Sequence, residues 1–469
     1  MIYIKCRKIS ALLSALIFCA GSAVAFSLTA NASAPQKETF TLDGYIRAYI
    51  KNSPAAVQDF NALKTAEINF RNRTVNLFLP SAGASAGATL LTKNESLHFD
   101  GPYDASLYVN WNIFNSGRDY LAYKKQKNLL ETSRMRFKNS LQELALSAIK
   151  TFYDLKRKES LLEVAARDLE EKLEQYEMTR LLYRDGLKTY TDFLQSENTL
   201  KNAELDMEQK TADYNSSLIN FNNQIGREIM SAAKLDYEIE TAPEFYQTSF
   251  DDDLQTAVAN REDVNREILN FQNAKIDNKL TLMNNLPMLS AGFNLGNNTD
   301  DIFGARGNRT DYSVSLSFSV PIGFLWIDKY NDVRVSKMDL INNYMDFEKL
   351  FRNIKENIFN VRNSLKFQLT SIDISKNNLK IAQERLDIAR AKYNEGNADS
   401  WELYNAQEQY LSALIRDTNL KYDYQLNIYS YKRALGLDIY DESKLVLDNK
   451  DFTDDTIKRV ERGFLSDKK

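Results

Sequence analysis

Two hydrophobic periods alternate along the chain, and the alternation occurs twice. From Arg118 to Arg184 no glycine or proline interrupts the sequence. Apolar residues there recur every seventh position at Leu162, Leu169, Tyr176 and Tyr183, as expected for a helix that packs along another helix. The same spacing returns at Ile372, Leu379, Leu386 and Tyr393. In this second stretch Ser375, Ala382 and Ala389 complete an a/d seam with small residues at every other site, which lets two helices approach closely. The first stretch is less regular, because Lys172 and Thr179 stand where Ala382 and Ala389 do. Between the helical stretches the period falls to two. Tyr312, Val314, Leu316, Phe318 and Val320 alternate with serine, Leu107, Val109, Trp111 and Ile113 with Tyr108, Asn110 and Asn112, and Leu289, Ala291, Phe293 and Leu295 do likewise. These are strands with one apolar and one polar face.

The elements form one unit repeated. Tyr183–Gly186 returns as Tyr393–Gly396, an offset of 210 (396 minus 186), and Ile225-Gly226 returns as Leu435-Gly436 at the same offset. Upstream, Leu79-Pro80 matches Leu286-Pro287. So many agreements at nearly one offset indicate a duplication. Copy one is expected to run over 38–230, with a helix over 42–79 (Pro54 near its first turns), a strand hairpin at about 81–115, a long helix over 118–184, a tip at Gly186 and a helix to about Ile225. Copy two is expected over 251–437, with a hairpin at about 288–322, a long helix over 327–394 and a tip at Gly396. A linker over 231–250 separates the copies, and a charged extension follows over 438–469. A helix of this length measures about 100 Å, too long for a globular core, so the fold expected is a coiled-coil wall. Heptads alone favour an ordinary two-stranded coiled coil; the strands interleaved with them turn the reading toward the wall.

Composition narrows the chemistry. Residues 1–25 read as a secretory signal: basic Lys5, Arg7 and Lys8, an apolar run over 9–20, and a small-x-small site at Ala23-Val24-Ala25. Both cysteines, Cys6 and Cys19, lie inside it, which leaves no disulfide or thiol chemistry downstream. A single histidine, His98, excludes histidine triads and multi-histidine metal sites. The balance of 60 basic against 64 acidic residues gives no nucleic-acid footprint. Asp251-Asp252-Asp253 is an acidic cluster, but it is read as linker without a pocket or helper histidine, so no catalytic, cofactor or metal residue is assigned. No apolar run after the signal is long enough for a membrane helix.

The strands have the length and alternation of transmembrane β segments, although a periplasmic sandwich with one buried face would alternate in the same way. Polar loops and the aromatics Phe99, Tyr103, Trp111, Tyr312 and Phe318, placed for interface girdles, favour the membrane. Four strands cannot close a barrel, and an open edge in lipid costs several kcal/mol for each unsatisfied backbone group. The barrel must therefore be shared between chains. Three copies give twelve strands; two or four would also close.

The duplicated order of long helix, hairpin and Tyr/Phe-x-x-Gly tip, with Val320-Pro321-Ile322-Gly323 and Trp111–Arg118 before the long helices, resembles the TolC-like outer-membrane efflux proteins over about residues 40–437. The resemblance implies a mostly α chain with membrane β hairpins. Its trimer forms a 12-stranded β-barrel continuous with a long periplasmic α-helical coiled-coil barrel. It implies an outer-membrane exit duct for efflux or secretion, not an enzyme. The expected partners are a periplasmic adaptor (membrane fusion protein), through it an inner-membrane pump, and outer-membrane lipid. Carried over residue by residue, the periplasmic gate falls on Asp192, Glu402, Tyr393, Lys188 and Asn405, and the adaptor contacts on Gly186, Leu187, Thr189, Gly396 and Ser400. Where the family has a basic residue two past the glycine, this chain has Lys188 in copy one but Asn397 or Ala398 in copy two. Asp192 and Glu402 also fit as first-turn acids at helix N-termini, and the glycines as simple helix caps. The alternative is a periplasmic coiled-coil adaptor or scaffold, which would carry one helical hairpin flanked by β domains.

Overall fold

The computed structural model describes residues 38–88, 91–93, 96–98, 103–236, 248–284, 286–299, 309–320, 326–395 and 400–441. The signal segment, Phe99, Pro321-Ile322-Gly323, Gly396 to Asp399 and the tail past Asp441 lie outside the described residues. Copy one contributes β1 (Glu38–Phe40), α1 (Leu42–Asn52), α2 (Pro54–Phe78), β2 (Ser81–Ala88), β3 (Leu91–Lys93), β4 (Ser96–His98), β5 (Tyr103–Phe114), α3 (Arg118–Arg184) and α4 (Tyr190–Gln224). A short β6 (Ala233–Leu235) follows. Copy two then contributes α5 (Phe250–Asn260), α6 (Glu262–Met283), β7 (Met288–Thr299), β8 (Arg309–Ser319), α7 (Trp326–Asn394) and α8 (Ser400–Ala434).

The uninterrupted stretches fold as single helices. α3 has 67 residues and α7 has 69, and α4 and α8 have 35 each. The shorter helices of each copy share the length of the long one: Phe70 and Phe78 pack on Tyr123 near the start of α3, and Phe193 packs on Tyr176 near its end. The copies also meet directly, through Asn128 with Asn273 (2.9 Å) and Lys125 with Asp277 (2.6 Å).

The helix expected over 42–79 is two helices, broken at Ser53. Pro54 has no N–H to donate and excludes Ser53 from helical backbone, so Ser53 is extended (ψ 120°). Copy two breaks at the equivalent place without a proline. There Arg261 is extended and its side chain holds the joint, binding Asp263 at 2.6 Å and the Ala434 carbonyl at 3.0 Å. Asp251, Asp252 and Asp253, read as linker, instead form the first turn of α5, where Asp252 closes a capping box with Ser249. β6, inside the stretch read as linker, pairs parallel with β1.

β2, β5, β7 and β8 form one antiparallel sheet in that order. The β5–β7 pairing joins the two copies. The registers align the period-2 patterns across it: Ala84 opposite Leu107, Leu107 opposite Leu295, Leu295 opposite Tyr312, and Val109 opposite Phe293 opposite Val314. One face is therefore a continuous apolar surface, on which Tyr312, Val314, Leu316 and Phe318 are each at least 70% exposed. The other face carries mostly serine, asparagine and glycine, with Tyr108 among them. β2 and β8 are open edges. Among the described residues no helix is long and apolar enough to cross a membrane.

The apolar core sits where the copies meet around the middle of the long helices. Tyr45, Ile50, Ile149, Phe152 and Phe221 centre one cluster, and Ile354, Ile358, Tyr431 and Ala434 another. A third, small cluster of Leu386, Ala389, Tyr393 and Leu403 closes the copy-two hairpin near its tip.

Candidate functional site at the helical tips

Each long helix turns back at its far end, and the copy-one turn is built from local chemistry. α3 stops at Gly186, whose φ of +74° is open to glycine at little cost. The Gly186 N–H bonds to the Tyr183 carbonyl and the Leu187 N–H to the Leu182 carbonyl, which satisfies the last turn in a Schellman motif. α4 starts three residues later in a capping box. Thr189 Oγ1 accepts from the Asp192 N–H (3.2 Å), and Asp192 Oδ2 accepts from the Thr189 N–H (3.1 Å).

Asp192 is thus a helix cap, and it is also a link between the copies. Its other oxygen, Oδ1, accepts a 2.8 Å hydrogen bond from the Ser400 hydroxyl at the start of α8. Partial burial works against its charged form. The hydrogen bonds from Thr189 and Ser400 and the nearby Lys188 outweigh it and hold the carboxyl below its usual range.

The remaining residues expected at the gate fall into two groups. Lys188 stands 4.3 Å over the ring of Tyr393, a second contact from the copy-one tip to the copy-two helix. Thr179 reaches the Tyr393 hydroxyl at 3.5 Å. Asp192, Lys188, Tyr393 and Ser400 are therefore brought together. Glu402 is not among them: it pairs with Lys392 at 2.9 Å, half exposed, and with Asn405 it borders a groove of about 620 Å³ beside Trp401 and Arg385. Leu187 is 71% exposed and Tyr190 57%, so the copy-one turn presents apolar surface. Gly396 lies outside the described residues.

Lys172 is a residue that heptad reasoning marked only as an irregularity. Its side chain is 2% exposed, yet it is fully partnered: Nζ donates to Gln407 Oε1 at 2.8 Å, lies 3.7 Å from Glu408, and stands over the Tyr404 ring. One turn away, burial pushes the Asp168 carboxyl above its usual range, with Lys172 opposing and Glu408, Glu171 and Asp206 adding to the rise. Arg390 and Glu171, 2.5 Å apart, add a further bridge between the hairpins. The polar seam residues of copy one thus bind copy two.

Residues 74–227 match the family model of the outer membrane efflux protein. The chain carries an outer membrane efflux protein domain on a TolC-like fold. Among solved structures, the chain is similar to the Campylobacter jejuni CmeC outer membrane channel at 16% identity, TM-score 0.74, covering 89% of this chain and 90% of that one. It is similar to the Vibrio cholerae outer membrane protein VceC at 14% identity, TM-score 0.72, covering 84% and 96%. The open state of the Neisseria gonorrhoeae MtrE channel gives 15%, TM-score 0.71, covering 85% and 89%. No curated protein matches the chain by sequence. The matched family is one of outer membrane efflux proteins, and these similar structures are outer membrane proteins and channels.

Proposed function

We propose that three copies of the chain assemble into an exit duct that carries substrates across the periplasm and the outer membrane as part of a tripartite efflux pump or type I secretion system. The observation that carries this reading is the four-stranded sheet with two open edges and one continuous apolar face. Such a sheet is unsatisfied alone in lipid. When β2 of one copy pairs with β8 of the next, no edge is left. Twelve strands tilted at about 40° then enclose a bore of about 12 Å backbone radius. Cysteines introduced along β2 at Ala84 and along β8 at Leu316 and its neighbours test the closure: oxidation yields covalent trimers on a denaturing gel. A ladder ending at dimers, or monomer alone, contradicts it.

In this reading the tips are the periplasmic gate. Asp192 with Ser400, and Lys188 with Tyr393, tie the copy-two hairpin to the copy-one hairpin. These contacts take the place of a latch that would need a basic residue at Ala398. Glu402 and Asn405 line the groove behind them. The exposed Leu187, with Gly186 and Thr189, forms the surface for a periplasmic adaptor, through which the duct reaches an inner-membrane pump; Gly396 is assigned to it from the family pattern alone, and Ser400, expected there too, is instead buried against Asp192. The rival reading, an adaptor with one hairpin and flanking β domains, is disfavoured by the two hairpins and their single shared sheet.

A further inference from the structure

The polar face of the sheet carries one aromatic residue among the described positions. In the row of Tyr108 the neighbours are Gly83, Asn294 and Ser313, and the next row is Asn110, Gly292 and Ser315. A tyrosine standing upright there would project into the bore of a barrel. It does not stand upright. Tyr108 pairs directly with Gly83 on β2, and its ring lies across that glycine. A Cβ at position 83 would come 2.5 Å from Tyr108 Oη and 2.9 Å from Cε2, far inside the 3.5–4.0 Å of ordinary contact. The ring fills the space that the missing side chain leaves. It is the far end of a flexible side chain, so a residue with a Cβ displaces the ring and leaves the strand in place.

We infer that Gly83 is a recess that stows Tyr108 against the wall, and that the pair sets the size of solute that passes the barrel section. The inference rests on the duct reading above. A ring leaving the wall in each of three copies reaches across roughly half of the backbone radius. Glycine inside a strand is unfavourable for the sheet itself and often marks a close approach; here what approaches is the Tyr108 ring. The sequence Ser81-Ala-Gly-Ala-Ser-Ala-Gly-Ala88 keeps the polar face of β2 small throughout, while Tyr108 is the one bulky group that needs the recess.

The test uses a thiol reporter deeper in the same bore. Ser317 pairs with Ser290, on the polar face and two rows nearer the helices than Tyr108. Cys6 and Cys19 are the chain's only cysteines. Ser317→Cys is labelled on whole cells with a small maleimide and with the largest polyethylene-glycol maleimide that still reacts in the parent. Gly83→Ala is expected to slow the large reagent about fivefold or more while leaving the small one unchanged. Tyr108→Ala alone leaves both rates at the parent value, and Gly83→Ala with Tyr108→Ala restores the large-reagent rate. The inference is overturned if Gly83→Ala leaves the large reagent within about twofold of the parent. It is equally overturned if Tyr108→Ala alone accelerates labelling, since the ring would then already stand in the bore; this arm holds even where Gly83→Ala fails to assemble. If the small reagent cannot reach Ser317→Cys in the parent, the duct reading itself fails.

Discussion

The duplication supplies its own control experiment at the middle of the molecule. In copy one Tyr45 stacks on Phe221 with centroids 4.1 Å apart and leans on Phe152 at 5.9 Å. The equivalent positions of copy two are Asp253, Tyr431 and Arg362. There the Tyr431 hydroxyl donates to Asp253 Oδ2 at 2.6 Å, and Arg362 binds both Asp253 and the Thr248 carbonyl. One copy solved this junction with rings and the other with charge. Burial, with Asp253 alongside, pushes the Tyr431 hydroxyl well above its usual range, so it stays a neutral donor. Arg362→Met leaves the Asp253 side chain, 3% exposed, without its counter-charge. Breaking a buried pair costs about 3–5 kcal/mol. Arg362 is about a quarter exposed and Tyr431 still donates, which reduces the expected loss to about 2–3 kcal/mol. The assay is a circular-dichroism melt of the assembled protein, and the expected fall is about 2–3 °C, since the unfolding entropy of so long a chain makes each kcal/mol worth only about 1 °C. Importing the copy-one solution, Asp253→Tyr with Arg362→Phe and Tyr431→Phe, should recover to within about 1 kcal/mol, because apolar replacement of buried charges is often neutral. The reasoning is refuted if Arg362→Met melts with the parent, or if the triple variant melts below Arg362→Met.

Further outcomes are expected. Asp192→Ala removes a capping box and the Ser400 bond, about 2 kcal/mol per chain, and should raise the open probability of single channels in planar bilayers. Because the Asp192 carboxyl is held below its usual range, its contribution is complete above the ordinary aspartate pKa of about 3.9 and is lost as pH falls further, through the depressed folded value. Channels of the parent should therefore open more readily at such acid pH, and those of Asp192→Ala should not change. Gly436→Ala should cost about 3 kcal/mol or more in a thermal melt, since φ is +72° and the new Cβ would lie 2.7 Å from the Arg261 nitrogen. Gly186→Ala, in the same conformation with open space around it, should cost only about 1 kcal/mol. Gln142→Leu should free residues 438–440, because the buried Gln142 accepts from the Ile439 and Tyr440 N–H groups and donates to the Tyr440 carbonyl; hydrogen exchange at those amides should rise about tenfold or more.

The long helices and the sheet faces were legible in the sequence because each rests on a sustained period. The run from Arg118 to Arg184 offered no breaker, and the Tyr312–Val320 alternation had no fault. What escaped were features set by single long-range contacts. β1 and β6 are three residues each, too short to show a period. The break at Arg261 carries no proline and is fixed by a side chain that reaches Ala434. The acids of α5 read as solvent-facing linker, since nothing local reveals that Asp253 meets Arg362 across 109 residues. At the candidate site the sequence named Asp192, Tyr393, Lys188 and Ser400 one by one, but which of them touch depends on how the two hairpins lie together. Lys172 marks the limit from the other side: a lysine at a seam position looks like a defect until Gln407 and Glu408 are seen opposite it.

The central claim is that copies of this chain close into a conducting duct, and planar-bilayer recording of the purified protein tests it most directly. The account predicts discrete channels in the parent, of small conductance while Asp192, Lys188, Tyr393 and Ser400 hold the tips together, and larger steps for Asp192→Ala combined with Lys188→Ala. A purified, folded trimer in which neither the parent nor the combined variant conducts would contradict it.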